Sequence, residues 1–284
     1  MGKVIFQSSG LHTSLQDLGR YGFRKYGIPI SGAMDQESSK LANLLVKNPA
    51  DKAVMEVTQI GPELTFDEPT LIAITGADLS PHLNGSPITN NKAIPIRSGD
   101  ILTFGAPKRG LRTYMSIKGG FLYETVMNSQ SMFVPVTPKA KFTKGNQLGY
   151  QANYQSIENF ATIRTEENHF ENPSLAVFPG PEFHWLDQTT QSTLLNSEFT
   201  IGTNNRMGYQ LSNTEMPTND FQMLTSPVIP GTIQLTPSGK LMALMRDAQV
   251  TGGYPRILQL TEKSINRLAQ KGSGQVVNFN LIDI

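Results

Sequence analysis

Apolar residues in this chain fall in short runs: Val4–Phe6, Leu71–Thr75, Ile101–Phe104, Thr113–Ile117, Leu175–Phe178, Phe199–Ile201, Ile233–Leu235, Leu241–Met245 and Ile257–Leu260. Each has the length of a strand, not of a helix. Between them stand breakers such as Gly61-Pro62, Gly119-Gly120, Ser238-Gly239 and Gly252-Gly253, which supply the fixed or positive φ that tight turns need. Many strands joined by tight turns predict a mainly β fold of barrels or sandwiches.

Helical spacing is found in a few places. From Asp35 to Lys47 an Asp cap precedes Leu41, Leu44 and Leu45, and Asn48-Pro49 ends the pattern. From Thr261 to Lys271 a Thr cap precedes Ile265, Leu268 and Ala269 on one stripe, with Gly272 as the stop. A shorter helix opens at Pro181 or Glu182 and carries Phe183, Trp185 and Leu186. The polar stretch Asn153–Pro173, rich in Glu and Asn, reads as a linker. The boundary is placed near residue 172, giving an N-terminal β-rich domain, 1–172, with one helix near 35–47, and a C-terminal domain, 173–284.

Composition narrows the classes. With 284 residues, the chain has length for a substantial core and for two domains. Lys plus Arg is 24 and Asp plus Glu is 23, a net charge of +1, which argues against a general grip on nucleic acid or anionic lipid. Residues 1–150 carry 16 basic and 11 acidic side chains and residues 151–284 carry 8 and 12, so the halves differ in sign. The basic stretch around Lys108, Arg109 and Arg112 is expected on a solvated face, and neither nucleic acid nor membrane is expected as a partner. Without cysteine there is no thiolate catalysis and no thiolate metal site. The start, MGKVIFQSSGLHTSL, lacks the regions of a signal peptide, so a cytoplasmic location is expected.

Standard catalytic signatures are missing: there is no G-x-S-x-G, H-E-x-x-H or G-x-G-x-x-G. Pro237-Ser-Gly-Lys240 lacks the upstream glycine of a phosphate loop and reads as a hairpin turn. His12, His82, His169 and His184 show no ligand spacing, so no metal site is expected.

Polar residues concentrate instead at Met245–Arg256. If the strand LMALM continues, Asp247, Gln249 and Thr251 share one face, spaced by ~6.7 Å. Gly252-Gly253 then admits close backbone approach, Tyr254 follows, and the planar fork of Arg256 suits a carboxylate or phosphate. A tight turn with an internal Asp247-to-Arg ion pair fits the same residues. In Asn204–Gln210, Asn205, Arg206 and Tyr209 form a second cluster, readable also as a turn. A third, Gln16–Asp35, sets Asp17, Arg20 and Asp35 among glycines whose amides suit an anion nest, or a local Asp17–Arg20 contact.

QDLGRYGFRKYGIPISGAMD at 16–35, PGPEFHWLD at 179–187, NNRMGYQL at 204–211 and RDAQVTGGYPRI at 246–257 together resemble the KipA family. It is also known as the biotin-dependent carboxyltransferase family, allophanate hydrolase subunit 2, or the 5-oxoprolinase C subunit. The likeness runs in order along nearly the whole chain. It implies a cyclophilin-like β-barrel in the C-terminal part, a KipI-like partner subunit, and a third subunit with which the pair opens 5-oxoproline to glutamate using ATP with magnesium. Phosphorylating the lactam oxygen calls for positioning and positive charge more than for a protein nucleophile.

On that reading Asp247, Arg256 and Arg206 are the expected catalytic residues. Gln249, Thr251, Gly252, Gly253, Tyr254, Tyr209 and Asn205 are expected to bind the small amide or lactam substrate, with Asp17, Arg20 and Asp35 as secondary candidates. The two arginines should converge with Gln249 in a concave barrel mouth. Two alternatives stand beside it. One is the carboxyltransferase component of a biotin-dependent urea or amide carboxylase; no Met-Lys-Met carrier signature is present, so biotin would arrive on another protein. The other is a non-enzymatic regulator that binds the KipI-like protein and relieves its inhibition of a histidine kinase.

Overall fold

The apolar run at Leu71–Thr75 lies inside β5 (Thr70–Asp78), whose first six residues are all buried. It reads as continuous because it is covered on both sides. In the computed structural model, which describes residues 1–152 and 168–282, β5 belongs to a sheet ordered β2 (His12–Gln16), β3 (Val54–Thr58), β10 (Arg109–Ile117), β5 and β8 (Ala93–Ile96). One face meets helix α1 (Gln36–Leu45): Leu45 and Val46 pack on Leu71 and Ala73. Hydroxyls complete the seam, Thr75 donating to the carbonyl of Ser38 and Ser116 to that of Ala42, both at 2.6 Å.

The other face supplies Ile72, Ile74 and Met115 to the main core. Val4, Phe6, Leu64, Phe66 and Leu102 enter that core from a second sheet. Its order is β11 (Phe121–Leu122), β12 (Gln147–Tyr150), β1 (Gly2–Ser8), β4 (Glu63–Phe66), β9 (Ile101–Phe104), β6 (Pro81–Leu83) and β7 (Ser86–Pro87). Asp35 caps α1 as its sequence signature requires, accepting from the amide of Ser38 at 3.0 Å.

Two units emerge from the contacts: residues 1–20 with 31–170, and residues 21–30 with 171–284. The division placed at residue 172 does not anticipate that residues 21–30 group with the C-terminal part. Their anchor there is Arg24, whose guanidinium donates to the carbonyls of Val228 and Val250. Most of the stretch read as a linker, 153–167, lies outside the described residues. Helix α2 (Asn168–Glu171) follows it.

In the C-terminal unit, seven strands close a barrel, as the resemblance implies. Its order is β13 (Ser174–Pro179), β20 (Arg256–Leu260), β17 (Thr232–Leu235), β18 (Leu241–Leu244), β15 (Gly208–Ser212), β14 (Phe199–Asn204) and β21 (Val276–Leu281). Alternate residues fill it. Tyr209, Ala243, Ile233 and Leu258 are cross-strand neighbours and fully buried, as period-two alternation demands. A short ribbon pairs β16 (Ser226–Pro227) with β19 (Thr251–Gly252). The turn expected at 237–240 is present, closed by the amide of Gly239 on the carbonyl of Thr236 at 3.0 Å.

Three expectations change here. The helix after Thr261 is α4 (Glu262–Leu268), ending before the expected stop because Gln270 and Lys271 bond back only three residues, to the carbonyls of Arg267 and Leu268. The helix expected at Pro181 or Glu182 is one 3₁₀ turn, Phe183–Trp185. The true helix follows as α3 (Gln188–Asn196), capped by Asp187, whose carboxylate accepts from the amide of Thr190 at 2.7 Å. Only Leu194 of α3 is buried, so the helix carries little apolar periodicity to betray it.

Candidate functional site

Gln210 on β15 is the register partner of Met242 on β18, which is the partner of Gln234 on β17. Their neighbours along each strand point into the barrel, so this row lies on the outer wall, not in a barrel mouth. Met207 and the loop before β15 flank it on one side, and Gln249, Gly252, Gly253 and Tyr254 on the other. Together they enclose a cleft of about 440 Å³. Among the described residues no charged side chain lines it. Its polar side chains are the carboxamides of Asn205, Gln210, Gln234 and Gln249 and the hydroxyls of Thr203 and Tyr254, and Met242 and Leu244 add apolar surface.

Local bonding sets these amides. The side-chain carbonyl of Asn205 accepts from the amides of Met207 at 2.7 Å and Gly208 at 3.1 Å, an Asx turn that leaves its NH₂ group as donor. Buried Gln234 donates from Nε2 to the carbonyl of Tyr254 at 3.1 Å. Gly252 permits that approach, because a Cβ there would stand 2.5 Å from Gln234 Nε2.

The charged residues expected to converge do not. The strand carrying LMALM ends at Leu244, and residues 245–250 turn, the amide of Ala248 bonding the carbonyl of Met245. The face shared by Asp247, Gln249 and Thr251 therefore does not form. Asp247 instead pairs with Arg206, Nε to Oδ2 at 2.7 Å; the segment does turn, but its ion pair reaches outside it to a residue 41 positions earlier. Arg256 is the register partner of Gln234, yet its guanidinium grips Glu182 at 2.9 and 2.7 Å. It borders a separate recess of about 280 Å³ under Pro179–Pro181. Tyr209 is in the barrel core, and Thr251 is exposed outside the cleft.

Asp17, Arg20 and Asp35 belong to the N-terminal unit. The Asp17 carboxylate takes the amide of Gly19 at 2.8 Å and that of Gln130 at 2.7 Å, with the hydroxyls of Ser129 and Ser131, so it fills the place an anion would take in a nest. Fully buried Arg20 donates to the carbonyls of Val126 and Ser131. Asp35 has His169 Nε2 at 3.3 Å and lies in a buried polar group with Tyr114, Glu56 and Arg112. Burial first, then the charges of Glu56 and Asp35, raise the Tyr114 hydroxyl well above the usual tyrosine range.

Of the expected binding residues, Asn205, Gln249, Gly252, Gly253 and Tyr254 thus meet in one cleft. Gln210 and Gln234 complete it, and sequence reasoning does not single them out. Their signal is a glutamine inside the apolar strands GYQLS and TIQL. Glu182, the carboxylate that occupies Arg256, reads in the sequence only as a helix start. Each carboxamide offers a donor and an acceptor side by side, the pairing an amide group presents in return. Among the described residues Tyr254 is the one titratable side chain in the cleft lining.

The family model described as "Carboxyltransferase domain, subdomain A and B" matches residues 26–281. The chain belongs to this family. Among carboxyltransferase-domain relatives, the 5-oxoprolinase C subunit of Escherichia coli is 32% identical over 286 residues, covering 98% of this chain and 90% of the relative. The crystal structure of TTHA0988 superposes with a TM-score of 0.90 at 24% identity, over 99% of this chain and 55% of that one. The crystal structure of the K. lactis urea amidolyase does so with a TM-score of 0.86 at 24% identity, over 99% of this chain and 19% of that one. The carboxyltransferase-domain fold is thus shared with longer chains, of which this one spans a part.

Magnesium-ATP, expected for the complex, does not fit this cleft, which offers no cation for phosphate and no carboxylate for a metal. Among the described residues no cluster of three or more His, Asp or Glu is positioned to hold a metal ion. No helix among them is long and apolar enough to cross a membrane.

Proposed function

We propose that this chain is the C subunit of an ATP-dependent 5-oxoprolinase, and that its carboxamide-lined cleft holds the lactam while a KipI-like subunit and a third one carry out activation and ring opening. What carries the reading is the kinship with a 5-oxoprolinase C subunit over 98% of this chain, combined with a cleft whose carboxamides can pair with an amide group. A lactam offers one N–H and one carbonyl in fixed relation, and Gln249 with Gln210 or Asn205 matches both. In this reading the nucleotide is bound elsewhere in the complex. The arginines act by fixing the walls: the Arg206–Asp247 pair holds the loop carrying Asn205, and Arg256 stands beside Gln234.

The test is reconstitution with the KipI-like and third subunits. Glutamate release that depends on 5-oxoproline, on ATP and on this chain supports the proposal. Complete complex that releases none overturns it. A second reading, transfer of a carboxyl group from biotin to urea or a related amide, is favoured by the fold shared with the urea amidolyase, and urea, unlike the carboxylate-bearing 5-oxoproline, is neutral. Consumption of carboxybiotin in place of 5-oxoproline would select it.

A further inference from the structure

The segment that walls the cleft opposite Met207 is held at both ends. Asp247 at its start pairs with Arg206, and the carbonyl of Tyr254 at its end accepts from Gln234 at 3.1 Å. Gln249 lies between these holds. Just beyond it the chain enters the β16–β19 ribbon, whose register sets Ser226 against Gly252 and Pro227 against Thr251. The next pair outward is Val228 with Val250, and the Val228 amide donates to the Val250 carbonyl at 3.1 Å. A hydrogen-bonded antiparallel pair exchanges two such bonds. Among the described residues the second, from the Val250 amide to the Val228 carbonyl, is not made, and a ribbon of two residues a side is weak on its own.

Arg24 takes the open acceptor. Its Nη2 donates to the carbonyl of Val228 and, at 3.3 Å, to that of Val250, so one nitrogen bridges both strands of the ribbon. This hold is charge-assisted and so stronger than the ladder bond it replaces. Burial draws the Arg24 guanidinium below the usual arginine range. Among the described residues no carboxylate offsets that cost, whereas Arg206, Arg246 and Arg256 each have one. Arg24 belongs to residues 21–30, which group with the C-terminal unit although they precede it by over a hundred positions.

We infer that Arg24 is a positioning residue of the cleft: by stapling the ribbon at Val250 it fixes the neighbouring Gln249 for the amide substrate. The inference rests on the cleft being the substrate site. It ties the stretch 16–35 to that cleft, which Asp17, Arg20 and Asp35, all in the N-terminal unit, do not.

Hydrogen exchange of the full chain and kinetics of the reconstituted complex test it together. In Arg24→Ala, exchange of the Val228 amide should rise about tenfold or more, the loss of roughly one hydrogen bond. The Leu260 amide, bonded to the Gly231 carbonyl at 2.8 Å, should keep its wild-type rate, which shows that the barrel is intact. KM for the amide substrate should rise about three- to tenfold with kcat little changed, and should rise no further when Arg24→Ala is added to Gln249→Ala. Arg24→Lys should restore most of both effects, because a single nitrogen serves both carbonyls. Wild-type exchange at Val228 in Arg24→Ala overturns the staple. A KM effect of Arg24→Ala that is the same with and without Gln249 overturns the positioning role, since Arg24 then acts on the fold at large. If Gln249→Ala leaves KM unchanged while Val228 exchange rises in Arg24→Ala, the substrate reading of the cleft falls and the positioning role with it, and the staple stands.

Discussion

Arg206 and Asp247 form a two-pronged ion pair, Nε to Oδ2 at 2.7 Å and Nη2 to Oδ1 at 3.1 Å, with side chains only 11% and 7% exposed. The backbone repeats the contact: the Asp247 amide donates to the Arg206 carbonyl at 2.9 Å. The loop before β15 is thereby tied to the turn after β18, and these two segments carry Asn205 and Gln249 into the cleft. Removing one member strands the other charge away from water. Asp247→Ala is therefore expected to lose roughly 3–5 kcal/mol of stability, whereas replacing both residues by apolar ones of similar volume should cost much less. Urea denaturation of the single and double variants measures this. A single-variant loss below about 1 kcal/mol would mean the pair behaves as a solvated one.

Glu182 and Arg256 give the molecule an acid limb. The hydrogen bond from the Arg256 guanidinium, aided by the Arg256 amide and charge, holds the Glu182 carboxyl below its usual range despite burial. The same bond raises Arg256. A glutamate depressed in the folded state contributes fully above its unfolded value, about 4.3. That contribution is lost as pH falls through the lower folded value. The wild type should lose stability below about pH 4.3, and Glu182→Gln should be less stable at pH 7 but lose less on acidification. Denaturation midpoints across pH 3 to 7 decide it; parallel curves would show that other carboxylates set the limb.

The strands were legible because short apolar runs between turn residues admit little else, and α1 and α4 because Asp35 and Thr261 mark their starts. Pairings across the chain were not. Asp247–Arg206 joins positions 41 residues apart and Glu182–Arg256 positions 74 apart, which no local pattern encodes. The cleft was half legible. Asn205, Gln249, Gly252 and Tyr254 stand in polar, glycine-rich stretches that strand burial does not explain. Gln210 and Gln234 sit within apolar strands and gain meaning only when register puts them on either side of Met242. Helix α3, with one buried residue, left only its Asp187 cap as a signal.

Gln249 is exposed and makes no side-chain hydrogen bond among the described residues, so its truncation separates binding from folding. Gln249→Ala should leave the melting temperature within about 2 °C of wild type, as surface substitutions of under ~0.5 kcal/mol do. In the reconstituted complex it should raise KM for the amide substrate about tenfold, the loss of roughly one hydrogen bond, with kcat little changed. Steady-state kinetics read both. An unchanged KM would remove the cleft from substrate recognition.

Gly180 shows how tightly the Arg256 region is built. It stands in Pro179-Gly-Pro181, its amide donates to the carbonyl of Ile257 at 2.9 Å, and a Cβ would fall 2.1 Å from the carbonyl oxygen of Arg256 and 2.8 Å from the carbonyl carbon. Backbone cannot rotate aside as a side chain can, so Gly180→Ala must push β20 away, with the Glu182 amide that bonds the same Arg256 oxygen at 3.2 Å. A loss of roughly 1–3 kcal/mol is expected, with the Glu182–Arg256 pair opened in the process. Gly180→Ala and Glu182→Gln should then be non-additive, the second costing less once the first is present, because both act on one contact. Gly253→Ala is the control: nothing lies within 4 Å of its Cβ and its φ is not positive, so it should stay within about 0.5 kcal/mol of wild type. Additive losses at Gly180 and Glu182 would show that the backbone shift is absorbed before it reaches the ion pair.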